Sequence, residues 1–263
     1  MNRTNNELTA EARPGALTIA GFDPSGGAGV LADSRTFVAF GCSASAVITS
    51  ITYQNSRQVF GAVHQSAEAI RDQIMPLLEG SFACVKTGML PTREIVNEVA
   101  RLFRETDLPA PVVDPVIVSS SGQRLVEEEA LERLIEELLP LARLVTPNIP
   151  EAERLTGIEI ESEAGMREAA AAIRRMGPRA VLIKGGHLTG KDSVDESEEA
   201  IDVLDNDGGV TVFRHRRVPN VELHGTGCML SAAIAAGLGK GMSLEDSVAT
   251  AKQFVWDAIR QSA

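Results

Sequence analysis

From Ala16 to Gln261 the chain alternates short runs of β-branched and small apolar residues with longer amphipathic stretches. This alternation narrows the fold more than any other feature. Six runs read as strands: "ALTIAGF", "ASAVITSIT", "FACVKTG", "PVVDPVIV", "RLVTPN" and "AVLIKGG". Between them, "GAGVLADSRTFVAFG", "AEAIRDQIMPLLEG", "REIVNEVARLFRE", "EEEALERLIEELLPLA" and "EAGMREAAAAIRRMG" carry a helical period. "AIDVLDNDGGVTVFRHRRV" reads as a hairpin turning at "NDGG", and two helices, "GCMLSAAIAAGLGKG" and "LEDSVATAKQFVWDAIRQ", close the chain. Strands apolar on both faces need cover on both sides, which in this order gives an α/β protein with a mostly parallel central sheet. The expectation is one domain over residues 16–263 behind a flexible polar tail over residues 1–15. The acidic stretch "GKDSVDESEEA" (Gly190–Ala200) reads as a solvated loop.

A chain of 263 residues can bury a full core. Its net charge of -11 argues against a general nucleic-acid binder, whose affinity rests on neutralising phosphates. A small phosphorylated ligand stays open, because a few local N–H groups can hold one. Cys42, Cys84 and Cys228 are odd in number, far apart and without a C-x-x-C pair, so neither a disulfide framework nor a structural zinc is expected. The first fifteen residues carry no apolar run of the kind a secretory leader needs, and no stretch is long enough to cross a membrane. A reducing cytoplasm is the expected compartment.

In sheets of this kind ligands sit beyond the carboxyl ends of the strands, so the loops there carry the functional signal. In "HGTGCMLSAAIAAG" (His224–Gly237) a glycine-rich turn leads into an apolar helix with a cysteine at the junction. A helix N-terminus offers free N–H groups and a dipole that favours negative charge, and glycines let a ligand approach. The stretch reads as an anion site with a thiol beside it, or as a tight turn with a small buried cysteine. "GFDPSGGAG" (Gly21–Gly29) runs into a G-x-G-x-x-A match, but the carboxylate a dinucleotide site needs about twenty residues on is missing. "GGHLTGK" (Gly185–Lys191) spells G-x-x-x-x-G-K, yet Asp192 stands where a Walker A loop has Ser or Thr. In "TPNIPEAERLTG" Asn148 and Glu151 sit three apart where a strand becomes a helix. Residue types alone favour a capping pair there, with two oxygen ligands for hydrated magnesium as the other reading. With Lys184 at the end of a strand, these loops together suit phosphoryl transfer, which is mostly positioning and charge neutralisation.

The loops, in this order, resemble the ribokinase-like superfamily and, within it, the hydroxymethylpyrimidine/phosphomethylpyrimidine kinases of thiamine biosynthesis. The matching blocks are "ALTIAGFDPSGGAG", "AVITSITYQNS", "VKTGML", "DPVIVSSSG", "TPNIPEAERLTG", "VLIKGGH" and "HGTGC", from Ala16 to about Cys228. The resemblance implies a three-layer α/β/α fold and two ATP-dependent steps. The first phosphorylates the alcohol of 4-amino-5-hydroxymethyl-2-methylpyrimidine; the second converts that monophosphate to the diphosphate. It implies that Asp33 and Gln54 hydrogen-bond the aminopyrimidine edge near the Gly21 backbone and Met89. Asn148 and Glu151 would orient the waters of Mg2+, with Asp114 of "DPV" facing the metal and phosphates, and Lys184 would offset phosphate charge. Gly225, Thr226, Gly227 and Cys228 would form the anion hole, with Cys228 as base, its thiolate favoured by the helix N-terminus. A homodimer is implied as well.

Three departures stand against the family pattern. Phe22 replaces a small residue beside the first glycine, "VSSSG" lacks a lysine often found near there, and the chain ends at Ala263 without a "GHGP"-like tail. Two other functions fit the residues. One is a pyridoxal/pyridoxine kinase of the same branch. The other is a non-catalytic pyrimidine- or nucleotide-binding protein, against which the anion hole, the Asn148/Glu151 pair and Lys184 weigh.

Overall fold

The computed structural model describes residues 13–55, 58–118, 122–186, 199–217 and 223–262. Its strands are β1 (Gly15–Phe22), β2 (Ser43–Gln54), β3 (Val59–His64), β4 (Cys84–Thr87), β5 (Val112–Val113), β6 (Leu144–Val145), β7 (Val181–Gly185), β8 (Glu199–Asn206) and β9 (Gly209–Arg216). Its helices are α1 (Gly29–Ala39), α2 (Ala67–Ile74), α3 (Arg93–Glu105), α4 (Glu128–Arg133), α5 (Ile149–Thr156), α6 (Glu163–Arg174), α7 (Thr226–Gly239) and α8 (Leu244–Gln261). The strands form one sheet in the order β3-β2-β1-β4-β5-β6-β7-β8-β9. Neighbours from β2 to β7 run parallel, while β3 and the β8–β9 hairpin add antiparallel edges. The chain leaves β1 towards β2 and β3, then returns to the other side of β1 as β4. That reversal opens a crevice beyond the carboxyl ends of β1 and β4, where such sheets bind ligands.

Alternation along each strand divides the interior in two. Leu17, Ile19, Val85, Val113, Val145, Val181 and Ile183 pack with α2 to α6. Ala16, Cys84, Val112, Leu144 and Leu182 pack with α1, α7 and α8. Helix α7 is apolar on nearly every side, since it lies against the sheet and contacts both α1 and α8. The outer helices begin at Ser or Thr caps, as at Ser66, Thr92, Ser162 and Ser243, each accepting an N–H from the first turn. This is the three-layer arrangement that the sequence implied. Among the described residues, no helix is long and apolar enough to cross a membrane.

Several elements differ from the sequence reading. β5 and β6 shrink to two residues each, because Pro115 and Pro147 follow closely and cannot donate to a ladder. The helix expected over 127–142 is α4 followed by a π turn (Leu134–Leu138) and a 3-10 turn (Leu139–Leu141) containing Pro140. The period does not single out β3, whose centre is Gly61 and whose partner is β2 alone. Residues 1–12 of the tail expected over 1–15, the centre of "VSSSG" and residues 190–198 of the loop expected over Gly190–Ala200 lie outside the described residues, while Gly15 belongs to β1 and Glu199 and Ala200 to β8.

Phe37 is fully buried between α1 and the small residues of α7. Phe37→Ala is expected to destabilise the protein by about 3–5 kcal/mol through lost burial and a residual cavity. The midpoint of urea unfolding measures this.

Candidate active site

Period-2 alternation has a polar consequence at the ends of the central strands. Thr18, Lys86, Asp114, Thr146 and Lys184 each lie two residues beyond an apolar side chain that faces α1 and α7, namely Ala16, Cys84, Val112, Leu144 and Leu182. They therefore form a polar row on that face, under the amino ends of both helices. All but Lys184 are buried, and Lys184 nearly so. Such a row is stable only if its members satisfy one another. Lys184 Nζ donates to Asp114 Oδ1 at 2.8 Å. Thr146 Oγ1 lies 3.3 Å from the same oxygen and 2.8 Å from Ser231 Oγ, which donates to the Gly227 carbonyl at 2.9 Å. Lys86 Nζ donates to both oxygens of Asp33, at 2.9 and 3.0 Å, and Thr18 Oγ1 donates to Asp33 Oδ2 at 2.6 Å.

Gly225 caps the start of α7 with φ at +83°, and no side chain accepts the N–H groups of the first turn. A methyl group on Gly225 would lie 1.9 Å from the Gly27 carbonyl oxygen, so glycine is needed there for contact as well as for conformation. A methyl group on Gly227 would lie 3.2 Å from Lys184 Nζ, which places that ammonium against the first turn. The arrangement is an uncapped helix N-terminus with a lysine beside it, suited to phosphate. Cys228 sits in the same turn, and the Gly29 N–H at the start of α1 favours its charged form. Burial pushes its thiol up to about 11, against Lys86 and the Gly29 N–H, with Asp114 and Asp33 adding to the rise. The expected thiolate at the helix end is thus corrected: in the unliganded protein Cys228 is a thiol at neutral pH. Cys42 and Cys84 are buried and free, and burial pushes Cys84 up to about 12.

The first loop closes against this turn. Asp23 accepts from Ser25 N at 2.8 Å, Ser25 Oγ at 2.7 Å and Ala28 N at 2.9 Å, and its Oδ2 lies 3.3 Å from His224 Nε2. The Gln54 side chain also favours the charged form of Asp23. Burial opposes its charge, but those hydrogen bonds hold its carboxyl below the usual value. Across the crevice, a methyl group on Gly21 would lie 2.7 Å from Met89 Cε. Phe22 is half-buried beside a bulge in the β1–β2 pairing, and its carbonyl accepts from Thr52 Oγ1.

The structure brings Gly21 and Met89 together at one end, and Lys184, Asp114 and Gly225–Cys228 at the other. Asp33 is placed differently from the sequence expectation. It has no exposed edge, and both its oxygens are engaged by Lys86 and Thr18. Asn148 and Glu151 form a full capping box on α5, with Glu151 N donating to Asn148 Oδ1 and Asn148 N to Glu151 Oε2, each at 2.8 Å. Among the described residues, no three His, Cys, Asp or Glu side chains converge as a metal cage. Asp114 and Glu151, both facing Lys184, are hard oxygen donors of the kind that hold magnesium through water. Asp23, Thr18, Lys86, Thr146 and Ser231 were not singled out by the sequence. The one available signal was a lysine in the middle of the apolar run "FACVKTG".

Burial, with Asp114 adding, pushes Glu151 up to about 7, against Lys184 and the N–H groups of Asn148 and Ile117. A carboxyl raised on folding binds its proton more tightly in the native state, so its ionisation disfavours folding as pH climbs from the ordinary carboxyl range towards 7. Glu151→Gln keeps a cap acceptor and cannot ionise. The melting temperature of this variant relative to wild type is expected to rise between pH 4.5 and 7, and to level off outside that window. Metal-free calorimetry across the pH range measures it.

The sequence profile of the Phosphomethylpyrimidine kinase family matches residues 23–263. A hydroxymethylpyrimidine/phosphomethylpyrimidine kinase of Streptomyces coelicolor is 44% identical over 247 residues, 94% of this chain and 88% of that one. Among solved structures, a phosphomethylpyrimidine kinase from Clostridium difficile 630 aligns with a TM-score of 0.81 and 38% identity, over 94% of this chain and all (100%) of the other. A Staphylococcus aureus pyridoxal kinase in complex with AMP-PCP and pyridoxal aligns with a TM-score of 0.84 and 31% identity, over 94% and 88% of the two chains. The matching profile spans the DPSGG loop, the polar row from Lys86 to Lys184 and the helix that carries Cys228, and the chain belongs to the phosphomethylpyrimidine kinase family.

Proposed function

We infer that this protein is an ATP-dependent kinase of thiamine biosynthesis. It phosphorylates the alcohol of 4-amino-5-hydroxymethyl-2-methylpyrimidine and then the resulting monophosphate. The observation that carries the reading is the uncapped N-terminus of α7 with Lys184 against it, at the carboxyl ends of the central strands. The family membership and the 44% identical relative supply the substrate class. In this reading the N–H groups of Gly225, Thr226, Gly227 and Cys228 take up charge on the transferred phosphoryl group, and Lys184 neutralises phosphate oxygens. Gln54, at the end of β2, reads the ring edge near Gly21, on which the Met89 side chain packs. Mg2+, held through water by Asp114, Glu151 and Asn148, supplies charge neutralisation at the ATP phosphates when bound. The pyridoxal reading rests on a neighbour of lower identity, 31%. A coupled assay of ADP release with the pyrimidine alcohol, its monophosphate and pyridoxal side by side separates the readings. Turnover on pyridoxal alone would overturn the assignment.

The two steps make different demands on Cys228. An alcohol must lose its proton as it attacks, whereas a phosphate oxygen is already ionised at pH 7. Cys228→Ser is expected to slow the alcohol step by about two orders of magnitude, in the range of a lost general base, and the phosphate step by far less. Steady-state rates on the two isolated substrates measure this, and equal losses would leave Cys228 as a packing residue.

The homodimer reading is supported by the outer face of the β2–β3 hairpin, where Ile51, Tyr53, Phe60 and Val63 are exposed, Phe60 to 66%. Apolar residues gathered on an edge hairpin suit a second copy of the chain. Phe60→Glu is expected to shift the species seen by light scattering from dimer to monomer while the fold stays intact by circular dichroism.

A further inference from the structure

Lys86 lies on β4 with no solvent exposure, in a strand otherwise filled by Cys84, Val85 and Thr87. Its register opposite Thr18 of β1 brings it under α1, where both oxygens of Asp33 receive its ammonium. Asp33 sits one helical turn after Gly29, whose N–H favours the charged form of the Cys228 sulfur. One face of the first turn of α1 therefore links the buried ion pair to the thiol. A buried pair of this kind contributes little net stability compared with an apolar pair of similar volume. Its local field is another matter, because charges buried away from water are screened weakly.

We propose that Lys86 is a positioning residue for the alcohol-phosphorylating step, its Asp33-clamped ammonium holding positive potential beside Cys228 so that the sulfur can act as a base. The assignment rests on the reading of Cys228 as that base. In the step, the Cys228 thiolate takes the proton of the substrate alcohol and the alcohol oxygen forms the new bond to phosphorus. The bond between the transferred phosphoryl group and ADP breaks, with its electron pair leaving on ADP. The thiol then returns its proton to solvent. The charged groups around Cys228 are Lys86 from β4, Lys184 from β7, Asp33 from α1 and Asp114 from the end of β5. Both carboxylates disfavour a thiolate, and Lys86 is the leading charge that opposes them and burial. Burial opposes the charge on Lys86 itself, but Asp33, Cys228 and Asp114 outweigh it and hold the ammonium above the usual lysine value. Lys184 is paired with Asp114 against the first turn of α7, where incoming phosphate also draws on it. Lys86 is sealed under α1 and keeps its charge for the thiol throughout the cycle.

The test removes both members of the pair at once, which avoids leaving one buried charge alone. Two variants serve: Asp33→Asn with Lys86→Gln, which keeps a neutral hydrogen bond, and Asp33→Leu with Lys86→Met, which replaces the pair by apolar side chains. The readout is the rate of Cys228 alkylation by iodoacetamide between pH 8 and 9.5, assigned by peptide mass, in protein free of metal and nucleotide. Alkylation follows the thiolate fraction, and a one-unit rise in thiol pKa lowers that fraction on the order of tenfold. The expected result is a loss of roughly that size in each folded variant, with a larger loss of turnover on the alcohol than on the monophosphate. Lys86→Arg, which keeps the charge, is expected to restore most of the alkylation rate. An alkylation rate within about twofold of wild type in either folded pair variant overturns the proposal. If alkylation falls as expected while Cys228→Ser slows both steps equally, the hold of Lys86 on the thiol stands and it is the base reading that fails.

Discussion

The arrangement under α7 depends on one ion pair, Lys184 with Asp114. It joins the end of β7 to the end of β5, and through Thr146 and Ser231 it reaches the carbonyl of Gly227 in the helix turn that forms the anion site. Without it, two charges would stand buried at the ends of two strands separated by β6, each at a cost of several kcal/mol. With it, the ammonium sits against Gly227, where phosphate charge is expected, and the carboxylate is held low, in spite of burial, chiefly by Lys184 and then by Lys86. The same interaction stabilises the strand ends and prepares the site electrostatically.

Desolvation decides the state of the groups around it. Glu151 and Cys228 are both raised, with burial as the leading cause in each. A helix N-terminus is worth about 0.3–1 kcal/mol to a nearby negative charge, less than a tenfold change in ionisation. That is too little to offset removal from water. The unliganded site is consequently poor in free negative charge, with its carboxylates paired or raised and its thiol neutral. This suits a pocket that must admit a triphosphate and, in its second step, a phosphorylated substrate.

The two glycine-rich loops form one structure. Gly27 packs on the ring of His224, Gly225 packs under the Gly27 carbonyl, and Asp23 ties its own loop to His224. These contacts join residues about two hundred positions apart. They explain why side chains are excluded at those glycines: a Cβ at either position would come within 2.4 Å of an atom of the opposite loop.

Much of the fold was legible in the sequence. The alternation of doubly apolar strands with amphipathic helices determines a covered parallel sheet, and α3 runs over the residues its period predicts. The glycine turn before Cys228 and the Asn148/Glu151 spacing could also be read locally, because helix caps and uncapped helix ends depend on residues within one turn. What the sequence could not carry was the partnership of side chains from different elements. Lys86 and Asp33 are 53 residues apart and Lys184 and Asp114 are 70 apart, and they meet only because the parallel register stacks strand ends on one face and α1 packs over that face. Protonation states lay equally out of reach. The same cysteine or glutamate gives up its proton less readily when buried than in water, and burial is a property of the packed layers rather than of the residue.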